Sequence, residues 1–237
     1  MRKDRKADWI IGTGLLTLSL LPIVAGIVRL FRVSTGTSTA ENSRFLEAPW
    51  PITFHIAGAI IFCVLGAFQF APDLRRRNIR WHRLAGRIAL PAGFITALSG
   101  MWMAQFYPNV GFDGSALYAL RMLVGALMSL FLWFATQSIL KLNIPQHQAW
   151  MIRAYALGLG AGTQVLTHIP WFLLPDMQSE LFRTLSMGAG WGLNMIVAEV
   201  IIRWPSLQAS RKYPASILEA SGGQGQREAV DARASKR

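Results

Sequence analysis

Apolar residues run almost unbroken through six stretches of the chain, at about residues 8–31, 51–71, 84–106, 115–140, 149–174 and 184–204. A helix on the surface of a water-soluble domain carries an apolar stripe and a polar face. These stretches have no polar face. Each holds about 20 residues or more, enough to cross roughly 30 Å of hydrocarbon as a helix. Barrel strands would alternate over about ten residues instead. The pattern predicts an all-α membrane protein, a bundle of about six transmembrane helices over residues 1–204. From Pro205 onward the chain turns to Gly, Ser, Gln, Ala and charge, as in SGGQGQREAVDARASKR. Such a composition cannot bury enough apolar area to offset the entropy of ordering. Residues 205–237 are therefore expected to form a disordered cytoplasmic tail.

The punctuation fits this division. Pro51 stands in the first turn of the second stretch, where proline is tolerated, and Pro72 and Asp73 stop it. Pro91 lies inside the third and is expected to kink it. The first stretch exceeds the 7–15 apolar residues of a signal sequence and ends at Arg29–Arg32 without a small-residue cleavage pattern. It reads as an uncleaved first helix. A polar loop follows at residues 32–50.

Composition and charge set the orientation. The chain is 52% hydrophobic and only 15% charged, with a net charge of +12. A basic balance can indicate nucleic acid, but these positive residues sit in short segments between apolar runs, so no nucleic-acid partner is expected. With the N-terminus inside, 19 of the 24 Lys and Arg residues fall on cytoplasmic segments, adjacent helix ends or the tail. Arg29, Arg32, Arg44, Arg121 and Arg183 remain outside. The positive-inside rule thus places the protein in the inner (plasma) membrane, multi-pass, with both termini cytoplasmic. Trp9, Trp50, Trp81, Trp150, Trp171 and Trp204 fall near the proposed helix ends, where interfacial anchors belong.

All four histidines also lie near helix ends. The topology sorts them into an outer pair, His55 and His168, and an inner pair, His82 and His147. Paired histidines on neighbouring membrane helices are a way to hold b-type haem, because imidazole ligates iron well and the porphyrin slots between helices. His55 has Gly58 and Ala59 one turn on, and His82 has Gly86, so both leave room for a haem plane. His168 has Gln164 and Ala161 on its inward side, whereas His147 has the bulkier Trp150 and Met151. Arg121 on the outer side, and Arg83, Arg87 or Arg153 on the inner side, could meet haem propionates. His147 and His168 are about 31 Å apart along one helix at 1.5 Å per residue, a long gap for direct electron transfer between two cofactors. The bland alternative is interfacial imidazoles bonded to headgroups, water or backbone.

Arg121, about two turns into the fourth stretch, is the most intramembrane positive charge. Such a residue is a functional candidate by default; the alternative is pairing with Asp113 or a backbone carbonyl. Arg87 and Arg153 either snorkel to inner headgroups or form an anion site for a lipid phosphate, a quinone headgroup or a propionate. Gly158, Gly160, Gly162 and Gly188, Gly190, Gly192 give GxxxG spacings suited to close helix packing. Glu199 and Arg203 have the spacing of a helix-face ion pair. Cys63 is the only cysteine, so no disulfide forms within the chain, and its place in an apolar run reads as packing. No nucleotide, hydrolase or zinc-protease motif is present.

The segments HIAGAIIFCVLGAFQF, RxxxWHRLAGR and HQAWMIRAYAL resemble a bacterial membrane family known as domain of unknown function 2306. The resemblance covers the second to sixth stretches and implies a polytopic membrane fold with no established activity. In that family's pattern the fifth helix often carries an arginine near the position of Gln164 or His168, which sets His168 apart. A looser likeness to four-helix b-type cytochromes rests on histidine placement. The readings in play are a haem b redox protein exchanging electrons with a quinone or another membrane protein, with His82 and His147 as inner iron ligands and His55 and His168 as outer ones; a small transporter whose polar path is lined by Arg121 and the histidines; and a non-catalytic scaffold or assembly factor.

Overall fold

The computed structural model describes residues 2–39, 42–70 and 77–212. Most of the expected tail and part of the basic loop, including Arg75 and Arg76, lie outside them. Among the described residues all regular structure is helical: α1 (Arg2–Ser34), α2 (Ser43–Glu47), α3 (Pro49–Gln69), α4 (Ile79–Phe106), α5 (Ser115–Leu140), α6 (Ile144–Gly158), α7 (Gly160–Thr167), α8 (Ile169–Leu173) and α9 (Glu180–Lys212), with a 3-10 turn at Pro175–Met177. The last helix continues to Lys212, past the end predicted at Trp204. The chain divides into two compact units, Met1–Ala198 and Glu199–Arg237. The packing described here belongs to the first; in the second, Glu199 and Arg203 form the ion pair expected from their spacing, at 3.3 Å.

Five helical stretches among the described residues are long and apolar enough to cross a membrane: Gly12–Ser34, Pro49–Gln69, Ile79–Phe106, Ser115–Leu140 and Glu180–Trp204. The fifth predicted stretch, 149–174, is helical but broken. It is divided among α6, α7 and α8, of 15, 8 and 5 residues, with breaks at Leu159 and His168. Sequence hydropathy cannot see this, because the composition stays apolar across both breaks. The physical reason for the first break lies on a neighbouring helix. Asn194 of α9 inserts its side chain and donates Nδ2–H to the Ala156 carbonyl at 3.0 Å. Its Oδ1 accepts from Thr163 Oγ1 at 2.7 Å. Gln164 donates to the Met187 carbonyl at 3.2 Å, and Thr167 to the Ser186 carbonyl at 2.7 Å. Of these, the Asn194 bond enters the backbone ladder at the Leu159 break, and an inserted side chain is a known cause of helix kinks; the break at His168 precedes Pro170, which has no N–H to donate.

Other hydroxyls in the spanning helices bond back to their own helix. Ser19 donates to Leu15 O at 2.9 Å, Thr96 to Ala92 O at 2.8 Å and Ser138 to Phe134 O at 2.7 Å. With hydrocarbon as the solvent, this is how a polar side chain stays satisfied. The large apolar residues face the other way from those of a soluble protein: Leu20, Leu21, Phe31, Leu123, Trp133 and Ile196 are exposed on the surface. The core is small and tight. Phe62 and Leu132 are fully buried, packed with Ala89, Ala92, Met128, Ala154 and Tyr155. Gly58 lets α3 approach α4, since a Cβ there would lie 2.9 Å from the Ala92 carbonyl oxygen. Gly162 of α7 similarly meets the backbone carbonyl of Leu18 on α1. Pro91 is accommodated within α4, which is unbroken from Ile79 to Phe106. The predicted loop at 32–50 contains the short helix α2, and its Phe45 is buried against Tyr107.

Candidate functional site

The densest charged chemistry in the structure gathers where α2, the 107–114 loop, α5 and the start of α9 meet. The loop turns through Gly111, whose φ of +58° suits glycine, and delivers Asp113 inward. The Asp113 side chain is only 1% exposed. Arg121, two turns along α5, grips it with both terminal nitrogens at 3.1 Å each. Arg183 of α9 reaches the same carboxylate at 3.0 Å. Arg44 of α2 stands 3.9 Å away and donates to the Pro108 carbonyl at 2.9 Å. Arg29 of α1 and Arg44 both lie over the Phe45 ring, 5.0 and 4.8 Å from its centre. Cation–π attraction of this kind steadies a guanidinium without neutralising it.

Three arginines thus surround one deeply buried carboxylate, and a fourth, Arg29, stands beside Arg44 over the Phe45 ring. The other acid nearby is Glu180, whose carboxylate packs against Gly114, so that a Cβ at Gly114 would collide with it. Arg44, Arg121 and Arg183 exceed Asp113 and Glu180 by one positive charge, and Arg29, exposed beside Arg44, brings the surplus to about two, since Arg does not deprotonate. Burial and then repulsion from Arg121, Arg29 and Arg183 hold the Arg44 pKa below its ordinary value, with Asp113 opposing them. The guanidinium side chains remain partly open: Arg44, Arg121 and Arg183 are 17%, 26% and 29% exposed. Yet the Nε atoms of Arg44 and Arg183 are shielded and meet no hydrogen-bond acceptor. Aromatic rings border the site. Trp171 contacts Phe112, next to Asp113, at 5.1 Å, and stacks on Phe182, next to Arg183, at 6.2 Å.

Of the residues singled out from sequence, the structure brings Arg121 into this cluster, through the pairing with Asp113 that was the alternative to an isolated intramembrane charge. The histidines are distributed elsewhere. His55 on α3 holds Nδ1 2.9 Å from the Thr96 carbonyl of α4, with its ring edge against Gly100. His147 on α6 holds Nδ1 2.9 Å from the Ala135 carbonyl of α5. His168, at the α7–α8 break, holds Nδ1 2.8 Å from the Gln164 carbonyl. His82 sits half-buried in the first turn of α4. Arg153 lies over Trp150 at 4.7 Å, and Arg87 is exposed. Among the described residues, no group of three or more His, Cys, Asp or Glu side chains converges as a metal site. Sequence reading missed Arg29, Arg44 and Arg183 as a group. The signal was present: four of the five positive residues assigned to the non-cytoplasmic half are those that converge here.

No curated protein and no solved structure matches this chain. A family described as "Predicted membrane protein (DUF2306)" matches over residues 52–202. That interval runs from the start of α3 almost to the end of the last spanning stretch and includes Asp113, Arg121 and Arg183, while Arg29 and Arg44 precede it. With well over half of its length matched, the chain belongs to this family of membrane proteins.

Proposed function

We propose that this multi-pass membrane protein binds an anionic compound at the arginine cluster, which faces the outside of the plasma membrane, with both termini cytoplasmic. One observation carries the reading: a single buried carboxylate is shared among three guanidinium groups, with Arg29 a further cation over the Phe45 ring, leaving positive charge that the carboxylate does not neutralise. A purely structural salt bridge would be balanced, because unpaired charge in a partly buried site is costly. A site awaiting an anion is built with the opposite bias. Passage of the anion across the membrane would make the protein a small transporter; retention would make it a receptor or assembly factor. The test is thermal unfolding of the purified protein in detergent as sulfate replaces chloride at constant ionic strength. Sulfate should raise the midpoint in the native protein and not in Arg44→Gln or Arg183→Gln. An equal rise in all three would be a bulk salt effect and would sink the site.

A second reading keeps the histidines. His55, His147 and His168 each commit Nδ1 to a backbone carbonyl. That is the outer-shell arrangement of ligating histidines, which fixes the tautomer and leaves Nε2 for a metal. The inner pair His82 and His147 would be the iron ligands of a b-type haem, which would supply one-electron exchange with a quinone or a membrane partner. Arg87 and Arg153 are the inner arginines for its propionates. His55 fits less well, since its ring is packed along α4. Protein from haem-supplemented cells should show a Soret band that His82→Ala and His147→Ala abolish. A colourless preparation rejects this reading and leaves the arginine site untouched.

A further inference from the structure

We infer that the anion is a phosphate group, and that it is carried by a membrane amphiphile rather than taken from solution. This rests on the anion-binding reading above and adds three observations to it. The first is the unused hydrogen bonding. The Asp113 carboxylate already receives both terminal nitrogens of Arg121 and one of Arg183. About three of its four acceptor positions are thereby filled, and the Nε–H groups of Arg44 and Arg183 are shielded and without an acceptor. Guanidinium recognises phosphate by presenting N–H groups to several oxygens at once, and a phosphate offers more oxygens than a second carboxylate does.

The second observation is charge. A surplus of about two matches a phosphomonoester, which carries −1.5 to −2 at neutral pH. A halide or monocarboxylate would leave part of it uncompensated. The third is the border of the site. Trp171 bridges to Phe112 and Phe182 beside the charged residues. Its neighbours on α8 and at the start of α9 are apolar and exposed: Phe172 is 72% exposed, and Leu173, Leu174 and Leu181 are also exposed. Trp50, shortly after Arg44 in the chain, is exposed as well and stacks on Phe54. An arginine cluster bordered by exposed aromatic and aliphatic side chains fits a ligand with an anionic head and a hydrocarbon body, held at the level where aromatic anchors sit.

The experiment uses the full-length protein in mixed micelles containing phosphatidic acid, phosphatidylcholine or a long-chain fatty acid, alongside inorganic phosphate in plain detergent. Lipid retention by native mass spectrometry and the unfolding midpoint are read together. Phosphatidic acid should bind at least tenfold more tightly than phosphatidylcholine or the fatty acid, and inorganic phosphate should not displace it at millimolar concentration. Arg44→Lys and Arg183→Lys keep the charge but remove the Nε donor, and each should weaken phosphatidic acid binding several-fold. Lys141→Gln, a charge removed at the exposed C-cap of α5, should not. A folded Lys variant that binds as well as the native protein overturns the assigned role of Nε. Tight inorganic phosphate binding that phosphatidic acid does not compete away overturns the amphiphile but spares the anion site. Fatty acid binding equal to phosphatidic acid overturns the phosphate. Failure of every anion, soluble or lipid, to bind above phosphatidylcholine removes both this inference and the reading beneath it.

Discussion

Two of the regions where the structure buries polar groups follow different rules. Along the break between α6 and α7, each donor named has its acceptor: Thr163 to Asn194, Asn194 to Ala156 O, Gln164 to Met187 O and Thr167 to Ser186 O. That seam is closed. Around Asp113 the arithmetic fails, with guanidinium donors and positive charge both exceeding what one carboxylate accepts. Within hydrocarbon, balance is what stability demands. On the proposed reading, balance marks a structural feature and surplus a binding one, and mutation can separate the two regions.

The largest effect should come from the carboxylate. Asp113→Ala leaves Arg44, Arg121 and Arg183 with no buried counter-ion, and breaking a buried ion pair on one side costs about 3–5 kcal/mol. Unfolding in detergent should show a loss of this size. If the site is built for an anion, saturating sulfate should restore a large part of it, because the ligand takes over the role of the carboxylate. A loss without rescue would make the cluster as structural as the seam and erase the contrast between them.

Next in size is Gly162→Ala. A Cβ at this position runs into the backbone carbonyl of Leu18. A flexible side chain could step aside, but a helix backbone cannot, so α1 and α7 must separate. Overpacking of this kind costs about 1–3 kcal/mol. Sulfate stabilisation should persist in the variant. Loss of the sulfate effect would show that the position of α1, which carries Arg29, is tuned through this contact.

Asn194→Leu tests the seam directly. It strands the Thr163 hydroxyl and the Ala156 carbonyl together, yet hydrogen bonds between membrane helices average only about 0.6 kcal/mol and reach about 1.7. A loss of roughly 1 kcal/mol is expected, with Thr163→Val adding little on top, since the two side chains share one bond. A double-mutant cycle on purified protein measures this. Disturbed sulfate binding in Asn194→Leu would show the closed seam to be part of the working site.

How much of this was legible beforehand follows the same division. Helix positions were written in the length and continuity of the apolar stretches, because hydrocarbon thickness sets the length and backbone hydrogen bonding forces the helix. The ends of α3, α4 and α5 fell within a few residues of expectation, apart from the start of α4, which begins at Ile79 rather than Leu84. The break at Leu159 was not legible, because Asn194 acts on Ala156 from 38 residues away and leaves the local composition unchanged; the break at His168 had a signal in Pro170. Arg121 was flagged for its depth and Asp113 as its possible partner. Arg44 and Arg183 looked like ordinary loop and helix-end charges, since only tertiary structure draws 140 residues of chain together around Asp113. The histidines were legible as residues but not as an arrangement: sequence order gives each a helix end and says nothing about which carbonyl its Nδ1 finds.

The smallest prediction concerns charge that is neither closed nor in surplus. In the second compact unit, Glu199 and Arg203 form an i,i+4 ion pair at 3.3 Å, and the arginine side chain is 71% exposed. Water screens such a pair, and its two flexible side chains lose entropy in meeting, so roughly 0.3–0.5 kcal/mol is expected from it. Glu199→Gln should therefore move the unfolding midpoint barely beyond error at low salt and not at all near 1 M, where the screening length falls to about 3 Å. The same salt titration on the native protein separates the two kinds of arginine. The Asp113 pair, with its carboxylate 1% exposed, should keep its contribution where the Glu199 pair has lost its own. If Glu199→Gln costs as much as a buried pair, exposure has ceased to predict the worth of charge in this protein, and the argument from surplus at Asp113 weakens with it.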